Sequence, residues 1–560
     1  MTRPPATFQP APGPGAHRAE QLRAQFPRFV YERFSLDRSA DALRVKFHFR
    51  IEPGIEFAPE TTFLGADWQR VDSLAAGTLE NYLFHLGLIE TLSYWKATCS
   101  PEIRVEAGAL EPEQVAWFLD LLRHGMGEFF YVNQIDSRAP GFVKVVTGKK
   151  EKQILRFAQD DKQAGARDDR EKIRAATVRE RAIPASGPLA HARGSEGDGR
   201  DLVLTSGGKD SVVTLELLQE TGRAFDCLLL NPTEAALAVA RQAGCSSPII
   251  VRRTIDPRLL ELNAAGYLNG HTPFSALLAV LGVTAAALYG YDRVIVSNER
   301  SAEEAGVEYL GEPINHQYSK TYRFETAFRE YCRKYLAPSR CCHPEEPFAC
   351  HSERSEESAF ESAQGKLRDE GSAFLENAPD DSEGIDYFSL LRPLYELQIA
   401  RLFAQHSEYF PLFRSCNRGI ASNSWCGRCS KCLFVYTALY PFVEREQMLA
   451  IFNTPSGQDL FAWDGAAEIL RALLGLDAHK PFECVGTHEE TLAALYLCVE
   501  KKMKKQGLPL PAALRTIEDM ILSSRPDFPD LTRRVLTSWT DQHHLPPELA
   551  PLLRQRISSF

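Results

Sequence analysis

No stretch of the 560-residue sequence is an uninterrupted apolar run long enough to cross a bilayer. The longest candidate, FSALLAVLGVTAAALYGY (274–291), is diluted by Ser, Thr and Gly, whereas a spanning helix needs roughly 20 predominantly apolar residues. It reads as a buried helix of an α/β layer, and no membrane insertion is expected. Positive charge is not in excess either. A net charge of −10 and the lack of an obvious basic module argue against a nucleic-acid partner. The N-terminal MTRPPATFQPAPGPG has no apolar h-region, so no secretory leader is expected. Cysteine, by contrast, is plentiful: there are 13, an odd number, and several cluster at short spacing. In a large chain without a leader this favours the cytoplasm, with thiols reduced or on metal. The length is a soft prior for roughly two to four domains.

The text divides by composition. Residues 1–27 are Pro- and Ala-rich and expected to be disordered. Alternation over RFVYERFSL (28–36) and LRVKFHFRIE (43–52) predicts paired strands. Helical apolar spacing follows over 80–97 and 111–135, which makes 28–146 an N-terminal α+β domain. Residues 147–200 and 338–384 are charged or rich in Ser and Glu, without a long periodic face, and read as flexible insertions. Between them, strands are predicted at 202–205, 226–230, 248–252 and 293–297, with helix-length intervals. That is the pattern of a doubly wound parallel α/β sheet, here over 201–337. Residues 385–486 continue this domain, helical beyond Pro393, and 487–560 form a helical tail with proline breaks.

The stretch SGGKDS (206–211) lies between an apolar strand and a helix face of Val212, Leu215, Leu217 and Leu218. It is not G-x-x-x-x-G-K-[ST], because Lys209 is followed by Asp210. It still has the parts of an anion site. Gly207 and Gly208 let backbone approach, a helix N-terminus offers free N–H groups, and Lys209 adds a cation. Asp210 is placed to hold Mg²⁺ or to orient the loop. The alternative is an ordinary strand-to-helix turn with a solvent lysine.

SCNRGIASNSWCGRCSKC supplies Cys416, Cys426, Cys429 and Cys432, spaced C-x9-C-x2-C-x2-C. Four soft ligands on a tight loop suit a closed, structural Zn²⁺ site, with an iron–sulfur cluster as the rival. Cys341, Cys342, Cys350, His343 and His351 also look metal-like but fall in the second insertion.

The loop resembles the PP-loop, S-G-G-x-D-S, of the N-type ATP pyrophosphatases. That resemblance implies an adenine nucleotide alpha hydrolase-like fold in which the loop holds the pyrophosphate part of ATP. A PP-loop followed far downstream by a cysteine knuckle also resembles the 7-cyano-7-deazaguanine synthases, the alternative reading, and less closely the tRNA-thiolating enzymes. Five more blocks, in order, separate these: ELNAAGYLNGHTP (261–273), VSNERSA (296–302), EPINHQYSK (312–320), YFSLLRPLYELQIARLFA (387–404) and HKPFECVG (479–486). With GGKDS, SCNR and WCGRCSKC they resemble the ATP-dependent UDP-N-acetyl-α-D-muramoyl-L-alanyl-L-glutamate epimerases, from about 28 to 486 apart from the insertions.

The resemblance implies inversion of the terminal L-glutamate of UDP-MurNAc-L-Ala-L-Glu for peptidoglycan synthesis, consuming ATP with Mg²⁺ and releasing AMP and diphosphate. Ser206, Gly207, Gly208, Lys209, Asp210 and Ser211 would bind the β,γ-phosphates. Arg300, Asn315, Gln317, Arg392, Arg418 and Lys480, in the matching blocks, would grip the substrate, with Asn298 in a similar role. A base of suitable pKa points to His316 and Cys484 first, with His271 also in a block, and to Lys320 and Glu299 next.

Overall fold

The computed structural model describes residues 14–148, 200–337, 384–453, 459–477, 479–519 and 527–558. The insertions predicted at 147–200 and 338–384, with the cysteines and histidines at 341–351, lie essentially outside the described residues.

Thirteen strands are present among them: β1 (Arg28–Arg38), β2 (Ala42–Glu52), β3 (Ile55–Phe57), β4 (Glu60–Leu64), β5 (Glu102–Val105), β6 (Lys144–Thr147), β7 (Asp201–Leu204), β8 (Phe225–Leu230), β9 (Ile249–Thr254), β10 (Arg293–Val296), β11 (Val307–Tyr309), β12 (Glu312–Ile314) and β13 (Asp386–Ser389). Eleven of them make one mixed sheet in the order β13-β10-β7-β8-β9-β4-β2-β1-β5-β6, with β3 beside β2. β13, β10, β7, β8 and β9 are mutually parallel. β1 and β2 pair antiparallel from Arg28↔Glu52, as their alternation predicts. The two regions read as separate in sequence are joined edge to edge, because β4 pairs antiparallel with β9, Phe63 opposite Val251.

Helices cover the sheet because their apolar faces need burial. The helix Phe274–Tyr289, expected from the longest apolar stretch, buries all but three of its sixteen residues and packs on Thr78–Trp95. No described helix is long and apolar enough to cross a membrane. The other face carries Lys209–Glu220, Glu396–Phe403 and Ser430–Leu439, against which the tail helices His488–Tyr496 and Phe528–Thr537 pack.

Three readings change. Part of 1–27 is ordered: Pro14–Gln25 is a helix that buries Ala19 and Leu22, spaced three apart on one face. The periodic stretch 111–135 is two helices, Pro112–Gly125 and Gly127–Val132, parted at Met126. β13 (Asp386–Ser389) lies in a stretch ahead of Pro393 to which the sequence pattern assigns no strand.

Candidate functional site

Loops at the carboxyl ends of the parallel strands converge, which is where open α/β sheets place ligands. Thr205–Gly208 join β7 to the helix Lys209–Glu220, whose N-cap is Gly208. The loop holds itself through its hydroxyls. Ser206 N–H donates to Ser211 Oγ at 2.9 Å, the two serine hydroxyls lie 3.1 Å apart, and Gly208 N–H donates to Ser206 Oγ at 3.3 Å. Gly207 sits so close to the next helix that a Cβ on it would lie 2.7 Å from Ala235 Cβ.

Two adjoining cavities share Thr205, Ser206, Asp210, Leu230, Asn231 and Lys320. One, about 350 Å³, has an apolar wall of Leu204, Leu228, Leu278 and Leu281 with Phe274, 44% exposed, also lining it. The other, about 320 Å³, is lined by Gly207, Gly208, Arg414, Ser415, Lys431 and Cys484. An apolar slot beside a glycine-rich, cationic one suits a base next to a polyphosphate.

Lys209 does not face either cavity. Its side chain is 1% exposed and its ammonium engages Asp210 and Glu396. The cations on the cavity are Lys320, Lys431 and Arg414, of which only Lys320 stood among the predicted residues. Glu396 is pushed up to about 7 by burial, then by the nearby Asp210 charge. Burial also opposes ionisation of Asp210, but Lys209, Lys431 and Lys320 outweigh it and hold its carboxyl below the usual range. Of the two carboxylates sharing Lys209, Asp210 therefore keeps the charge more firmly. It is also the one that lines both cavities and could hold a divalent cation.

Lys320 Nζ lies 3.6 Å from Cys484 Sγ and 3.8 Å from Glu299 Oε1. Burial would lower its pKa, yet Cys484, Glu299, Asp210 and Glu396 together raise it, so it stays an ammonium. Arg392, 1% exposed, donates from Nη1 to Lys320 O at 2.7 Å and pairs with Glu303 at 3.1 Å. Its place is behind Lys320 rather than in the cavity. His316 is also behind it, its ring 6.1 Å from that of His271 and 5.7 Å from that of Phe482. Burial first, then His271, Lys320 and Lys480, lower its pKa to about 3. Glu299 Oε1, Gln317 Oε1 and both His316 ring nitrogens are buried without a hydrogen-bond partner, which in a native protein calls for a bound polar group or water.

The remaining predicted residues are elsewhere. Asn298 lines the apolar cavity and donates to Ser389 Oγ at 3.2 Å. Arg300 stacks on Tyr395 at 4.5 Å and donates to Ser538 Oγ, facing the tail. Asn315 bridges Ala302 O and Gln317 N–H within its own loop. Lys480 is paired with Glu304 at 2.8 Å, and Arg418 is exposed near Glu483.

The sulfurs of Cys416, Cys426, Cys429 and Cys432 lie within 4.8 Å of one another, with Cys416–Cys429 at 4.0 Å and Cys426–Cys432 at 3.7 Å. Tetrahedral Zn²⁺ with bonds of about 2.3 Å separates its sulfurs by ~3.8 Å, so the donor set fits. Backbone N–H groups of Gly419, Cys426, Arg428 and Cys432 point at the sulfurs, as thiolates require. Cys416 also lines the cavity that holds Gly207, Gly208 and Lys431.

The family model described as the MurL N-terminal domain matches residues 20–340, and the MurL C-terminal domain model matches 412–524. The chain belongs to the MurL family. Among relatives, a protein of Micromonospora sp. is 30% identical over 540 residues, covering 96% of this chain and 99% of its own. One of Xanthomonas oryzae pv. oryzae is 29% identical, covering 95% and 98%. One of Salinispora tropica is 31% identical, covering 86% and 87%. All three are named UDP-N-acetyl-alpha-D-muramoyl-L-alanyl-L-glutamate epimerase. The first MurL match spans β1 through β12 and both loop-lined cavities' main walls; the second spans the cysteine knuckle.

Proposed function

We propose that this chain is a cytoplasmic, ATP-dependent epimerase acting on the terminal L-glutamate of UDP-MurNAc-L-Ala-L-Glu, on a doubly wound fold of the PP-loop type. The observation that carries this reading is the meeting of the Ser206–Ser211 loop, Lys320 and Cys484 on one cavity, in a chain related over nearly its whole length to proteins of that name.

The chemistry needs those groups together. A carboxylate acidifies its own α-hydrogen poorly, because the carbanion would sit beside a negative charge. Attack of the glutamate α-carboxylate oxygen on the α-phosphorus of ATP breaks the bond to diphosphate and gives an acyl phosphate. The loop N–H groups, Lys431 and Arg414 stabilise the departing diphosphate. Asp210 is the residue that would hold Mg²⁺, which supplies further charge neutralisation there. With its charge masked, the α-carbon gives up its proton to Cys484, whose sulfur lies 3.6 Å from the Lys320 ammonium. A proton from solvent delivered to the opposite face inverts the centre, and Cys484 returns the proton it took to solvent. Water then cleaves the acyl phosphate, releasing AMP and the D-glutamate product. The four cysteines would hold a structural Zn²⁺ that fixes the loop carrying Arg414 and Ser415.

The test is incubation with ATP, Mg²⁺ and UDP-MurNAc-L-Ala-L-Glu. Equal amounts of AMP and diphosphate, with glutamate recovered as the D form, are expected. AMP formation without D-glutamate would overturn the reading, and nitrile formation from ammonia and a deazaguanine carboxylate would replace it.

A further inference from the structure

We infer that the recess on the far side of Arg414, beside the cysteine knuckle, binds the pyrimidine nucleoside diphosphate end of the substrate. This rests on the epimerase reading, which requires the protein to hold a long ligand by an end remote from the reacting carboxylate.

The recess measures about 760 Å³, more than twice either loop cavity, and falls within the range of small-ligand sites. Arg414 and Asn423 line both it and the diphosphate-side cavity, so a ligand can run from one to the other past a single guanidinium. Its own walls include Trp425, Trp463, Phe452 and Arg428. Trp463 is half-buried, and Gly465 lies under it so closely that a Cβ there would meet the indole at 2.5 Å. A glycine is thus needed to seat this ring. Trp425 is clamped by Phe413 and Phe452 at 5.3 and 4.6 Å, and its indole N–H has no partner.

These groups match the ligand's chemistry. An aromatic face stacks a flat pyrimidine, and the unpartnered Trp425 indole N–H suits one of its carbonyls. The Arg414 guanidinium donates only to the carbonyls of Phe413 and Asn423, and neither it nor Arg428 is paired with a carboxylate among the described residues. Arg428, which the loop cavities do not use, suits a diphosphate, with Arg414 at the boundary between the two sites. Of the carboxylates present, Asp459 is taken up by Arg445 and the Tyr436 hydroxyl, while exposed Asp464 is free to accept from ribose hydroxyls.

A smaller recess of about 200 Å³, lined by Arg123, Arg138 and Arg323, lacks these properties. Each of its arginines is already paired, with Glu312, Asp136 and Asp120, and it shares no lining residue with the loop cavities.

The probe is UDP, titrated calorimetrically into the full chain already saturated with a non-hydrolysable ATP analogue. Binding is expected to the wild type and to weaken at least about fivefold in Trp463→Ala and in Arg428→Ala, with Trp463→Phe restoring most of it because a phenyl ring keeps the stacking face. In turnover the KM for the UDP-linked dipeptide should rise by a similar factor while the KM for ATP is unchanged. Retained binding of the ATP analogue shows that each variant is folded. UDP that is excluded by the analogue, or that binds wild type and Trp463→Ala equally, overturns the proposal. A wild type that binds UDP in this way yet inverts no glutamate leaves the recess assigned and removes the epimerase reading instead.

Discussion

Cys484 and Lys209 carry the most distinct consequences of single side chains. Cys484→Ser keeps the loop and the cations intact but replaces the thiol by a hydroxyl that is far too weak an acid to ionise beside Lys320. Diphosphate release should therefore persist, while exchange of the α-proton in D₂O falls by about 10²–10⁴-fold, the usual worth of a positioned base. Exchange at the wild-type rate would remove Cys484 from proton transfer. Lys209 differs from what its loop suggests. Because its ammonium is enclosed by Asp210 and Glu396, removing it strands buried charge. Lys209→Met should cost on the order of 3–5 kcal/mol in denaturant unfolding, and adding Glu396→Leu should recover much of that. An unchanged midpoint in the single variant would refute a structural role. The sequence could place a lysine in the loop but not aim it, since aim depends on Glu396, 187 residues away. His316 supplies a pH test. Its pKa is lowered from 6.5 to about 3, so between those values the unfolded chain binds the extra proton. Stability from this group is complete above about pH 6.5 and is lost as pH falls towards 3. His316→Gln should flatten that acid limb of the stability curve, and an unaltered limb would mean that other groups, such as His271, set it.

At the scale of elements, the site depends on one strand–loop–helix turn, and its geometry is unusually sensitive at one of two adjacent glycines. A methyl on Gly207 would come within 2.7 Å of Ala235 Cβ and 3.0 Å of the Ala236 nitrogen, both part of a helix that cannot easily move. A methyl on Gly208 would meet the Ser415 hydroxyl at 3.2 Å, which can rotate away, and Ser206 Oγ at 3.5 Å, an ordinary contact distance. Gly207→Ala should therefore lower AMP formation at least about tenfold, the equivalent of ~1.4 kcal/mol of misplacement. Gly208→Ala should stay within a few-fold, and the reverse order would show that backbone approach at Gly208 is the limiting contact. This element was legible because its signals are local: an apolar strand, two glycines and a helical face within twenty residues. β13 was not, because its four residues gain strand character only by pairing with β10, about ninety residues earlier in the chain.

For the whole molecule, two hydrophobic cores lie on opposite sides of the parallel strands. The cysteine knuckle belongs to the one shared with the tail helices. Blocks of sequence announced the loop, the knuckle and the 479–486 segment in order, but not that β4 and β9 fuse the strands into one sheet, nor that Arg414, just ahead of the knuckle, and Lys431, within it, both reach the cavity. Such long-range pairings leave no periodic trace. They do make the knuckle's integrity a condition for the distant loop: Cys416 is two residues from Arg414, whose N–H donates to Gly207 O at 2.6 Å, and Lys431 lies between Cys429 and Cys432. If the four thiolates hold Zn²⁺, elemental analysis should find about one per chain, and iron in its place would favour a cluster. Cys429→Ser should then lose the metal and also weaken binding of the ATP analogue, since two of the three cavity-facing cations, Arg414 and Lys431, are tethered to the metal loop. If instead the metal-free variant binds the analogue as tightly as the wild type, the knuckle serves the tail helices alone, and Arg414 and Lys431 are held in place by the protein fold without it.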